Sequence, residues 1–142
     1  MTGAGPDLQR FVDAQDEHGT YDRALAELRD GRKVSHWMWF VLPQIAGLGR
    51  SATTVRFALA GAAEARAYLA HPVLGPRLRA CAAALLELPG SDPVAVLGSV
   101  DAEKLRSSMT LFAAVSDGDP LFTGVLDRYF GGAADPATTQ RL

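Results

Sequence analysis

Residues 35–51, SHWMWFVLPQIAGLGRS, hold both tryptophans of the chain together with a histidine, a glutamine, two glycines and an arginine. His36 is a candidate general acid or base, and Trp39 is a platform for a flat ring or a cation. Gln44 adds a neutral hydrogen-bonding amide. Gly47 and Gly49, spaced two apart, let backbone amides approach a ligand closely and adopt positive φ. Arg50 and Ser51 stand where a helix from residue 52 would begin, and its free N–H groups would favour a phosphate or carboxylate. A cation at that helix start calls for a compensating anion. The plainer reading is a tight loop ahead of a capped helix, with His36 a satisfied core or helix-end histidine. Trp37, at i, i+3 and i+4 with Phe40 and Val41, reads as core.

A second group of polar residues lies in residues 101–112, DAEKLRSSMTLF. Lys104, one of two lysines, shares a helical stripe with Asp101, Ser107, Ser108 and Leu111. Ser107, Ser108 and Thr110 put hydroxyls into an otherwise apolar helix, where Ser and Thr are indifferent formers. They either bond back to carbonyls one turn earlier or line a polar pocket with Lys104. A nucleophilic Ser108–Lys104 pair would need a buried, neutral lysine. Unpaired buried polar groups cost about 1–3 kcal/mol each, so the two polar segments are expected to share one pocket.

The elements that must position these residues read as helices. Leu8, Phe11 and Val12 mark residues 7–16, and Tyr21, Ala24, Leu25 and Leu28 mark 20–30, stopped by Gly31. Val55, Ala58, Leu59, Ala62, Ala65 and Leu69 predict one helix over 52–69 with Gly61 as its weak point. His71-Pro72 interrupts the pattern, with His71 read as a helix-end residue. Leu74, Leu78, Cys81, Leu85 and Leu88 then mark another amphipathic helix, stopped by Pro89-Gly90. Asp92-Pro93, Asp119-Pro120 and Asp135-Pro136 each pair an N-cap acid with proline at the first helical position. Asp101 is expected to cap a helix over 102–116. Only 37–42 and 53–59 compete as short strands. The expectation is an all-α, compact single domain spanning 1–142, of about seven short, orthogonally packed helices, with 1–6 and 131–142 as loose ends.

Composition narrows the function classes. The 142 residues, 48% hydrophobic and 21% charged, are those of a globular domain rather than a disordered chain. One cysteine excludes an internal disulfide, which fits a reducing cytoplasm. MTGAGPDLQR lacks a signal-peptide pattern, and no apolar run approaches a membrane helix. The net charge of −2 hides a basic middle: residues 31–80 carry seven bases and one acid. Such asymmetry either draws an anionic ligand or is neutralised by acidic ends folding over it. Nucleic-acid and membrane binding are not expected, and the chain is read as a monomer. The three histidines lack metal-ligand spacing, so neither a metal nor a cofactor is expected.

Three segments, SHWMWFVLPQIAGLG, YLAHPVLGPRLRAC and GSVDAEKLRSSMTLFAAV, resemble the bacterial family catalogued as domain of unknown function 1810, which sometimes carries a calpastatin-like label. The resemblance runs from LQRFVDAQ to VLDRYFGG. It implies a mainly helical single domain and no established activity. Calpastatin acts as an extended disordered chain, so that label fits this composition poorly.

Two functions follow. In the first, the protein binds a phosphorylated small molecule, a nucleotide or an ADP-ribose derivative, in a pocket lined by 35–51 and 101–112. His36, Lys104 and Ser108 would then serve any hydrolysis, while Trp39, Gln44, Gly47, Gly49, Arg50, Ser51 and Ser107 would hold the ligand. In the second, the aromatic 36–40 stretch is a patch for a protein partner, without catalysis.

Overall fold

A computed structural model describes residues 7–142, and the capping signals resolve there into helices. Helices α1 (Gln9–Asp16) and α2 (Thr20–Asp30) are separated by a 3-10 turn at Glu17–Gly19. The one-turn α3 (Met38–Val41) and the short α4 (Ala52–Phe57) flank the glycine loop. Then come α5 (Ala62–Ala70), α6 (Leu74–Glu87), α7 (Pro93–Leu97), α8 (Ser99–Val115), α9 (Pro120–Phe130) and α10 (Pro136–Thr139). The chain is all-α. Asp92, Asp119 and Asp135 are N-caps with proline in the first turn, and the first two carboxylates accept from backbone N–H groups. His71 Nδ1 accepts from the N–H groups of Val73 and Leu74 ahead of α6.

Three expectations are corrected. Residues 52–69 are not one helix: Ala58 is extended and Gly61 caps α5. Between the pieces, Leu59 forms an isolated parallel bridge with Ile45. Its N–H donates to the Gln44 carbonyl at 2.9 Å and its carbonyl accepts from Ala46 at 2.8 Å. A pairing partner outside the local sequence therefore wins over helical spacing. Asp101 is not a cap either, because α8 starts at Ser99 from Gly98 at φ 84°. Asp101 instead takes Lys33 Nζ at 2.8 Å.

Residues 131–142 are the third correction. Thr138 is fully buried, and Asp135 accepts from Ser107 Oγ at 2.8 Å and Thr138 Oγ1 at 2.6 Å. The Asp135 N–H donates to Thr110 Oγ1, and Arg106 donates to the carbonyls of Ala133 and Ala134. These bonds seat α10 on α8. The expectation of a loose N-terminal end, 1–6, falls outside the described residues.

The long α8 packs against α5, α7, α9 and α10, and α6 packs against α2, α5 and α9. A chain of rings runs through the core from Phe57 to Phe11, Tyr68, Phe112 and Phe122, with successive centroids 5.7, 5.1, 5.5 and 5.9 Å apart. Edge-to-face and tilted contacts of this kind add about 0.5–1.5 kcal/mol each beyond burial. One polar residue crosses this core. Buried Gln15 donates to the Phe40 carbonyl at 2.7 Å and to the Tyr68 hydroxyl at 3.1 Å, and accepts from Arg77 at 3.2 Å. It ties α1 to α3, α5 and α6 without leaving an unpaired amide.

The basic middle is partly neutralised by acids from both ends. Lys33 meets Asp101, Arg77 meets Asp16 at 2.8 Å, and Arg79 meets Asp119.

Glu27 holds the opening segment in place. Its carboxylate accepts from the N–H groups of Val34 and Ser35, from Ser35 Oγ, and from Trp37 Nε1 at 2.9 Å. Burial alone would raise its pKa, but the hydrogen bonds from Ser35, Val34 and Trp37 outweigh it and hold the carboxyl at about 2. The folded pKa lies below the ordinary value of 4.5, so the stabilisation is present above that pH and is lost as pH falls towards about 2. Glu27→Gln is therefore expected to cost about 2 kcal/mol near neutral pH. The gap in melting temperature between wild type and variant should shrink as pH drops from 4.5 to 2.5. Melting curves across that range check it; a gap independent of pH would contradict this role for Glu27.

Candidate functional site

Pro43 follows the one-turn α3, and the Ile45–Leu59 bridge pins the loop that comes next. Within that loop Gly47 sits at φ 98°, a conformation that favours glycine. Gly49 is required for a different reason: a Cβ there would lie 2.6 Å from Thr54 Cγ2. Ser51 caps α4, accepting from the Thr54 N–H at 3.1 Å and donating to Thr54 Oγ1 at 2.7 Å. The loop and α4 are thereby locked together. They present Gln44, Leu48, Gly49 and Thr54 as one wall of a cleft of about 330 Å³. The facing wall is Val100, Glu103, Lys104 and Ser107 from α8, with Asp135 and Ala137 of the C-terminal segment closing the side.

One cation, Lys104, and two carboxylates, Glu103 and Asp135, line this cleft. Half-buried Lys104 holds its Nζ 4.9 Å from the Trp39 ring centroid and 3.7 Å from Asp101 Oδ1. Asp101 thus lies between the two lysines of the chain, Lys33 and Lys104. Burial pushes the Asp135 carboxyl up, but hydrogen bonds from Thr138, Ser107 and the Ala137 N–H, with the Arg106 charge, bring it below the usual range. Asp135 is therefore ionised at neutral pH. Ser107 Oγ also lies within bonding distance, 3.2 Å, of the Glu103 carbonyl one turn back. Trp39 lines a crevice of about 10 Å³, which shares Gln44 and Thr54 with the main cleft. That is room for about one water.

The two polar segments thus meet across one cleft, but not every expected residue joins it. Gln44, Gly49, Lys104 and Ser107 are wall residues, and Trp39 is next door. Gly47 lies on the exposed turn beside the wall, and Ser51 is spent on its cap. Arg50 is exposed and is not part of the wall, because the cap turns the chain before α4 begins. His36 is exposed and outside the cleft; the neighbouring Trp37 fills the core instead. Ser108 is fully buried, and its Oγ has no partner among the described residues. No Ser108–Lys104 hydrogen bond forms. Among the described residues no His, Cys, Asp and Glu cluster could hold a metal ion. No helix there is long and apolar enough to cross a membrane.

Sequence reasoning missed Leu48, Thr54, Val100, Glu103, Asp135 and Ala137 as cleft residues, and Arg141 beside them. Asp135-Pro136 was legible as a cap, but nothing local says that its carboxylate faces α8. Arg141 reaches across from the far end of the chain, donating to the Gly47 carbonyl at 3.1 Å and the Ala137 carbonyl at 3.2 Å.

A family model described as a protein of unknown function (DUF1810) matches residues 5–142. The chain belongs to this family. A crystal structure of the conserved hypothetical protein Rv1873 from Mycobacterium tuberculosis is similar at 45% identity and a TM-score of 0.92, covering 96% of each chain. No curated protein matches. The residues matched by the family model include the cleft walls and α10.

Proposed function

We propose that this protein binds a phosphorylated small molecule, a nucleotide or an ADP-ribose derivative, in the cleft between the 44–54 segment and α8. The observation that carries the reading is the facing pair of polar walls, Gln44 and Thr54 opposite Glu103, Lys104 and Ser107. Lys104 offers a cation to a phosphate, while the carboxylates of Glu103 and Asp135 suit sugar hydroxyls. Leu48, Val100 and Ala137 supply the apolar surface on which a ring can rest. Ligand pockets span about 300–1,000 Å³, so the cleft fits a mononucleotide or sugar phosphate better than a full dinucleotide.

The proposal is one of binding rather than hydrolysis, since His36 and Ser108 do not meet Lys104 at the cleft. The alternative, an aromatic docking patch at 36–40, is less favoured: Trp37 and Met38 are buried, Phe40 packs on Phe57 at 5.2 Å, and Lys104 covers Trp39. A cytoplasmic protein is part of this reading, on the strength of the lone buried thiol Cys81.

A thermal-shift screen of nucleotides, sugar phosphates and nicotinamide dinucleotides tests it. A ligand at 100 times its dissociation constant should add about 2.7 kcal/mol of stability. Lys104→Gln should lose about 1.5–3 kcal/mol of ligand binding through the missing charged hydrogen bond. Absence of any shift across the three ligand classes would remove the reading.

A further inference from the structure

The arginine that serves the glycine loop comes from the opposite end of the chain. Arg141 donates through Nη2 to the Gly47 carbonyl and through Nη1 to the Ala137 carbonyl. Ala137 is a wall of the cleft, and Gly47 directly precedes the wall residues Leu48 and Gly49. The guanidinium therefore spans the rim, joining the C-terminal side of the cleft to the loop side. The fit is close: a Cβ on Gly47 would fall 2.6 Å from Arg141 Nε. Gly47 is a glycine for its φ of 98°.

Both partners of Arg141 are neutral carbonyls. Among the described residues it has no carboxylate partner, whereas Lys104 shares Asp101 with Lys33. A guanidinium carries five N–H donors in a fixed planar fork matched to phosphate and carboxylate oxygens. Charge-assisted bonds are roughly twice as strong as bonds to neutral acceptors. An anion arriving at the rim would meet a positioned cation whose charge no carboxylate offsets.

We propose that Arg141 is a second cation, beside Lys104, that recognises the anionic group of the ligand. This rests on the phosphorylated-ligand reading above and deepens it. The phosphate sits at the rim between the Gly47–Gly49 loop and α10, within reach of Arg141 and with Lys104 facing it from α8, while the uncharged part points inward along Asp135. Because the same guanidinium ties α10 to the loop, a bound phosphate strengthens the closure of the cleft.

The test is isothermal titration of the full chain with adenosine monophosphate, adenosine and inorganic phosphate, using wild type, Arg141→Gln, Arg141→Lys and Arg50→Gln. Arg141→Gln should weaken adenosine monophosphate about tenfold and leave adenosine unchanged. Arg141→Lys, which keeps the charge but not the fork, should fall between the two. Arg50→Gln should match wild type. Hydrogen exchange of residues 136–142 should slow when wild type binds the monophosphate. If Arg141→Gln weakens adenosine and the monophosphate equally, Arg141 only holds α10 and the proposal fails. If Arg141→Gln binds the monophosphate as wild type does, or Arg50→Gln is the variant that loses it, the proposal fails while the binding reading stands. A wild type that binds neither the monophosphate nor inorganic phosphate overturns both.

Discussion

Trp37→Ala is expected to remove about 3–5 kcal/mol of stability, a large part of the roughly 5–15 kcal/mol that a domain possesses. The indole is fully buried, its Nε1 donates to Glu27 at 2.9 Å, and Lys33 Nζ lies 5.2 Å from its ring centroid. Truncation empties a core site and also strips one donor from a carboxylate that relies on four. Two residues on, Trp39 is half-buried beneath Lys104 and borders the cleft. Trp39→Ala should shift the melting temperature by only a few degrees, consistent with a loss of about 1 kcal/mol, while weakening ligand binding. Chemical denaturation of both variants separates the roles, and equal destabilisation would contradict them.

Gly75→Ala should produce the second large effect, in the direction opposite to ordinary helix behaviour. Replacing a helical glycine by alanine normally gains about 0.8–1 kcal/mol. At Gly75, near the start of α6, a Cβ would lie 2.2 Å from the Leu69 carbonyl oxygen at the end of α5. That neighbour is backbone, and the His71 bonds to Val73 and Leu74 fix the connecting turn, so it cannot rotate away. The loss should reach or exceed the usual overpacking cost of about 1–3 kcal/mol. Gly124→Ala in α9 is the internal control: its nearest neighbour is Leu86 Cδ1 at 3.4 Å, an ordinary contact. That substitution should be neutral or stabilising. Similar losses at the two sites would refute the close-approach argument.

The parts of the fold legible in the sequence were those decided locally. Aspartate–proline pairs at 92, 119 and 135 and the stop at Gly31 depend on neighbouring residues, and the structure places helix ends there. The break at 58–61 was not legible, because it depends on Leu59 finding Gln44 and Ala46 far away in sequence. Val55 fits the helical spacing yet is 63% exposed, which shows how a six-residue helix can satisfy a pattern by accident.

The site divides in the same way. Unusual polarity at Gln44, Lys104 and Ser107 marked both facing walls, since buried polar groups need partners. It could not say which side chain turns inward. His36 differs from Trp37 by one position and points to solvent; Ser108 differs from Ser107 by one and lies in the core. The C-terminal wall was invisible for another reason. Residues 131–142 look like an unstructured end, and only the reach of Arg106, Ser107 and Thr110 to Ala133, Ala134 and Asp135 gathers them onto α8.

The central claim is that the ligand occupies the cleft between the glycine loop and α8, and Val100 gives the most direct access to it. Val100 lines the cleft yet is 69% exposed, so a larger side chain there fills the cleft without entering the core. Titration of Val100→Trp with a ligand identified by the thermal-shift screen should show binding weakened by at least about 100-fold, near 2.7 kcal/mol, at an unchanged melting temperature. Wild-type affinity in Val100→Trp would place the ligand elsewhere on the molecule and contradict the account.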